Sequence, residues 1–217
     1  ALPILLDLPV IEYGCDSIYS WHKDFQHLSK QATAGEICNV FEEHLPNGKF
    51  GTFHLAFTGG ETVLSQTAVV DIYGELERRG NLPKHITVET NGTQCLRNPI
   101  ADVITEFDGE WFWSVSPKLS VSGESWEAAI IPEVVASYCQ ASAHGQLKFV
   151  VDGSQQCWDE VERAAAEYRN YGVDWNIYIM PCGATKESQE EVQASICEAT
   201  ISRGYHFSAR LHNWIWG

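Results

Sequence analysis

Four short strings hold most of the side chains in this chain that could bind or react: Thr58-Gly59-Gly60-Glu61, Glu89-Thr90-Asn91-Gly92-Thr93, Ser116-Pro117-Lys118 and Arg210-Leu211-His212. A fifth, Cys15-Asp16-Ser17, lies near the start. Two consecutive glycines remove the Cβ atoms that would hold a small polar molecule away from the backbone, so N–H groups at a strand end can reach it. A tight strand-to-helix turn also accounts for Gly59-Gly60. What favours a ligand is the recurrence of comparably polar strings after later strands. Thr58-Gly59-Gly60 before a helix could equally hold the phosphate of a nucleotide or sugar phosphate in an iron-free α/β enzyme. A Walker loop is excluded, because no Gly-Lys-Ser/Thr follows.

Composition limits the partners. The 217 residues suit one domain over 1–217, and 44% hydrophobic with 12% aromatic residues is a globular composition. Twenty-nine acidic against fourteen basic residues give a formal charge of -15, which repels phosphate backbones and anionic lipid, so neither nucleic acid nor a membrane is expected as a direct partner. The apolar opening, 1–11, contains Asp7 and two prolines without a basic flank, and reads as neither a signal peptide nor a span. Seven cysteines (15, 38, 95, 139, 157, 182 and 197) include no Cys-x-x-Cys pair, and their odd number argues against a closed disulfide framework. A cytoplasmic location is expected. In that setting Asn91-Gly92-Thr93 is a coincidental glycosylation sequon. Trp111, Trp113, Trp214 and Trp216 are expected in the core or an interface, and histidines other than His212 as structural groups.

The elements that must position these strings alternate between strand and helix. Helices are predicted over 33–45, 63–79, 96–106, somewhere within 125–141, 158–171 and 186–203. Strands are predicted over 53–57, as a buried strand, and over 85–88, 111–115, 146–151, 174–179 and 205–209. Strand-then-helix order with short connections implies a parallel sheet with right-handed crossovers, and ligands in such sheets lie beyond the carboxyl ends of the strands. The polar strings fall at those ends. Six strands are too few for an eight-stranded barrel, so the expected fold is α/β, a partial (β/α) barrel of mainly parallel strands.

Taken together and in order, the five strings resemble 7-carboxy-7-deazaguanine synthase of the radical S-adenosylmethionine superfamily, over roughly residues 8 to 217. Thr-Gly-Gly-Glu alone indicates the superfamily; with Glu-Thr-Asn-Gly-Thr and Ser-Pro-Lys the pattern is more specific. The resemblance implies an incomplete (β/α) barrel, in agreement with the element order. It implies S-adenosylmethionine bound by Gly59, Gly60, Glu61, Glu89, Asn91, Ser116, Pro117 and Lys118. It puts Thr58, Thr90 and His212 on the substrate, Cys15 on a 4Fe-4S cluster and Ser17 on Mg2+. The implied reaction is the radical ring contraction of 6-carboxy-5,6,7,8-tetrahydropterin to 7-carboxy-7-deazaguanine with loss of ammonia, in which the protein orients the reactants and excludes water. A homodimer and an electron donor such as flavodoxin are implied as well.

Two features depart from the family pattern. Thr62 stands where the superfamily usually has proline. The family's three-cysteine loop is represented by Cys15 alone, and a substrate-binding arginine is missing from the same place, between Glu12 and Cys15. Three thiolates hold three irons of such a cluster and leave the fourth iron for S-adenosylmethionine; a single thiolate does not retain it. Three readings follow: residues dropped from the sequence at that point, a shortened member that does not assemble its cluster, or a binding protein descended from the enzyme.

Overall fold

The computed structural model describes residues 22–28, 30–183, 185–211 and 215. Local chemistry sets the first α-helix among the described residues, α1 (Ala34–His44). The Thr33 hydroxyl accepts from the Glu36 N–H at 3.2 Å, and the Glu36 carboxylate accepts from the Thr33 N–H at 2.7 Å. This capping box satisfies two donors that a helix start otherwise leaves open.

Strand β1 (Leu55–Phe57) then leads through a single 3-10 turn, Thr62–Ser65, into α2 (Gln66–Arg78). Next come β2 (His85–Thr90), α3 (Asn98–Glu106), β3 (Glu110–Val115), α4 (Trp126–Ala129), α5 (Pro132–Ala141), β4 (His144–Val151) and α6 (Gln155–Asn170). The chain continues through β5 (Asn176–Pro181), α7 (Lys186–Glu190), α8 (Gln193–Ser202) and β6 (His206–Phe207). Among the described residues, six strands run parallel and lie in chain order, β1 to β6, in one sheet that does not close on itself. This is the partial barrel expected from the strand-helix alternation.

Register divides the sheet into two faces. Leu55 pairs with Ile86, Val88 with Trp113, and Leu147 with Ile177, and these residues are buried in one apolar cluster with the inner faces of α2, α5 and α6. The other parity, Thr87, Glu89, Phe112, Ser114, Gln146, Lys148 and Tyr178, forms the concave face. The sheet therefore needs only one apolar face.

Several boundaries differ from the sequence expectation. The buried strand expected over 53–57 is a three-residue edge strand in which only Leu55 is buried, and Phe53 is half exposed, because an edge strand covers one side only. β2 extends to Thr90, so Glu89 belongs to the strand and faces the concavity. The helix sought within 125–141 is two helices, since Pro132 lacks an N–H and its ring clashes with a preceding turn. The helix expected over 186–203 breaks at Val192 (φ -115°, ψ -19°), for which the side-chain types carry no signal. Among the described residues no helix is long and apolar enough to cross a membrane.

Candidate functional site

At the carboxyl ends of β1, β2 and β3 three of the polar strings meet. The Thr58 hydroxyl donates to the Glu89 carboxylate at 2.8 Å, joining the residue after β1 to the penultimate residue of β2. Gly59 lies at φ +97°, in the left-handed region open to glycine at little cost. Glu61 caps the 3-10 turn by accepting from the Val63 N–H at 3.0 Å. It also takes the Thr90 hydroxyl at 2.6 Å and the Asn91 N–H at 2.7 Å. One carboxylate thus ties the Gly-Gly loop to the end of β2. Thr62, at the first position of that turn, buries its hydroxyl with no partner among the described residues.

The loop after β2 is built on its own side chains. Asn91 Oδ1 accepts from the Thr93 N–H at 3.0 Å and the Thr93 hydroxyl at 2.8 Å, an Asx turn that leaves the amide NH2 available. Gly92, at φ +80°, packs so closely that a Cβ would meet Val115 Cγ1 at 2.8 Å and Val135 Cγ2 at 2.9 Å. The Tyr138 hydroxyl donates to the Gln94 carbonyl, and burial raises its pKa well above the usual phenol range. The Ser116 N–H donates to the Thr90 carbonyl at 2.7 Å, which carries the β2–β3 pairing one step beyond β3. Pro117 is buried there and Lys118 half-buried.

Below this rim the concave face is polar. Gln146 Nε2 donates to Ser114 Oγ at 3.0 Å across β3 and β4. Lys148 sits in register with Tyr178, and Tyr178 with His206, whose ring stacks on the tyrosine at 4.8 Å between centroids and 22° between planes. Towards the amino ends of the strands, His54 Nε2 lies 2.6 Å from Thr87 Oγ1, and His85 Nδ1 lies 3.7 Å from Glu110. Gln146, Lys148 and Tyr178 belong to no motif in the sequence, and His206 is expected from it only as a structural group. Their signal was the alternation in Gln146-Leu147-Lys148-Phe149, where every second residue is buried and the others are not.

Of the residues expected at a site, Thr58, Gly59, Gly60, Glu61, Glu89, Thr90, Asn91, Ser116, Pro117 and Lys118 thus follow or end three adjacent strands. Cys15, Ser17 and His212 lie outside the described residues. The described cysteines are dispersed: Cys38 is buried on α1, Cys157 on α6, and Cys95 and Cys182 are exposed in separate loops. Among the described residues no three His, Cys, Asp or Glu side chains converge as a metal site. These residues therefore do not supply the thiolates of an iron-sulfur cluster, whereas the glycine-lined rim, where the Asn91 amide NH2 and the Lys118 ammonium have no partner among the described residues, fits a polar adenosyl ligand. A cavity of about 430 Å³ between α3 and α5, lined by Cys95, Ala101, Glu133 and Ser137, belongs to the helical layer and not to this rim.

No family model matches the chain. It is 29% identical over 221 residues to the 7-carboxy-7-deazaguanine synthase of Halobacterium salinarum, covering 93% of this chain and 77% of that one. The synthase of Pyrobaculum aerophilum is 28% identical over 215 residues, covering 98% and 84% respectively, and that of Rhodopirellula baltica 27% over 175 residues, covering 75% and 61%. Among solved structures, anSMEcpe with bound AdoMet superposes with a TM-score of 0.58 at 13% identity, over 94% of this chain and 62% of that chain. Streptococcus suis SuiB bound to the precursor peptide SuiA gives 0.56 at 11% identity, over 92% and 47%. The fold is shared with anSMEcpe and SuiB, and the sequence is similar to those of 7-carboxy-7-deazaguanine synthases.

Proposed function

We propose that this chain, as a single domain over 1–217, is a 7-carboxy-7-deazaguanine synthase-like lyase. It acts on 6-carboxy-5,6,7,8-tetrahydropterin, releasing ammonia in a ring contraction that begins from S-adenosylmethionine. The observation that carries the reading is the convergence of Thr58, Glu89 and Ser116 at the ends of adjacent strands beside the Cβ-free Gly59-Gly60 backbone. In this reading Gly59, Gly60, Glu61, Glu89, Asn91, Ser116, Pro117 and Lys118 hold S-adenosylmethionine. Thr58, Thr90 and His212 meet the pterin, Cys15 belongs to the cluster and Ser17 to Mg2+. A 4Fe-4S cluster held through Cys15 would supply an electron to S-adenosylmethionine when bound; the role of the described residues is to orient the ligands and exclude water. A cytoplasmic homodimer served by a flavodoxin-like donor completes the proposal.

The dispersal of the described cysteines favours a second reading, in which the chain binds S-adenosylmethionine without assembling a cluster. Anaerobic reconstitution with iron and sulfide separates the two. About four irons per chain and formation of the deazaguanine product support the lyase, whereas stabilisation by S-adenosylmethionine without iron supports the second reading. Stabilisation by inorganic phosphate or nucleotides alone, with none by S-adenosylmethionine, would overturn both.

A further inference from the structure

Lys148 stands out on the concave face. It is half-buried in the middle of β4, and among the described residues it makes no hydrogen bond and lies within ion-pair distance of no carboxylate. Acidic residues outnumber basic ones about two to one in this chain, and Arg78, Arg79, Arg163, Arg169, Lys186 and Arg203 have carboxylate partners, whereas half-buried Lys118 on the rim, like Lys148, has none among the described residues. Lys148 thus places on this face a cation with no counter-charge among the described residues, and an anionic ligand would supply one.

The neighbours of Lys148 narrow the chemistry of that ligand. Tyr178 is its register partner on β5, and His206 stacks on Tyr178 from β6, so an aromatic wall flanks the ammonium on one side. Gln146, two residues earlier on the same face, donates its amide NH2 to Ser114 Oγ, which leaves Oε1 as an acceptor for a ligand N–H. A cation, an aromatic wall and an amide acceptor on adjacent strands suit a planar, nitrogen-rich heterocycle bearing a carboxylate.

We infer that Lys148 is the receptor for the carboxylate of the pterin substrate, with Gln146 accepting from the ring and the Tyr178–His206 pair flanking it. The inference rests on the proposed function for the identity of the substrate, and it assigns to β4 a charge that the sequence between Glu12 and Cys15 does not provide. Isothermal titration of the full chain with pterin-6-carboxylate, and with pterin lacking the carboxylate, tests it. The unmodified protein is expected to bind the carboxylated compound at least tenfold more tightly, with the preference shrinking as salt is raised. Lys148→Met should abolish the preference while leaving S-adenosylmethionine binding unchanged, and Lys148→Arg should retain most of it. Retention of the full preference in Lys148→Met overturns this inference and leaves the proposed function standing. If the unmodified chain binds S-adenosylmethionine but neither pterin, the substrate reading fails and the inference with it.

Discussion

Glu61 shows how a residue chosen by motif is also used by the fold. Its carboxylate already accepts from the Val63 N–H, the Thr90 hydroxyl and the Asn91 N–H, so it braces the strand-end loops whether or not a ligand is present. Glu61→Gln replaces one acceptor oxygen with an NH2 facing a donor, and it should cost about 2 kcal/mol. The expected result is a lower urea midpoint with an unchanged slope, together with weaker S-adenosylmethionine binding; an unchanged midpoint would show that the three contacts carry no stability. Gly92 is required for a different reason, since the close approach of Val115 and Val135 leaves no room for a side chain.

Between elements, one guanidinium does much of the joining of α1 to α2. Arg79, at the carboxyl end of α2, donates to Glu75 at 2.7 Å, Glu42 at 3.0 Å, Asn39 at 2.9 Å and the Gly35 carbonyl at 3.0 Å. Hydrogen bonds first from Arg78 and then from Arg79 hold the Glu75 carboxyl down at about 2. A carboxyl whose pKa is depressed on folding contributes stability above its ordinary value near 4.5 and loses that contribution as the pH falls towards 2. Glu75→Gln is therefore expected to lower the melting temperature at pH 7, with the gap to the unmodified protein narrowing below pH 4.5 and closing near pH 2. A gap independent of pH would assign the loss to packing instead.

At the scale of the whole molecule, the helical layer and the sheet share one core, and the distribution of thiols follows from it. Burial pushes the Cys157 thiol up to about 12 and raises Cys38 as well, while Cys95 and Cys182 are exposed. Native-state alkylation followed by peptide mapping should label Cys95 and Cys182 within minutes and leave Cys38 and Cys157 unlabelled until denaturant is added. Rapid labelling of Cys157 would mean that α6 does not pack on the sheet as described. The same layering separates the cavity between α3 and α5 from the concave face, so a ligand found in that cavity would not bear on the proposed reaction.

What the sequence alone determined was the order and type of the elements, because period-two and helical periodicities, caps and glycine stops act over a few residues. It also carried the rim motifs, since Thr58-Gly59-Gly60-Glu61 and Glu89-Thr90-Asn91 are contiguous strings whose local turns follow from their side chains. Tertiary structure alone decided what faces the concavity. Lys148 meets Tyr178, and Tyr178 meets His206, only through the register of parallel strands separated by helices, and a shift of one residue would turn each of them into the core. That pairing is settled by burial of the opposite face, where Phe149, Ile179 and their neighbours must all be covered together, a constraint no single segment contains.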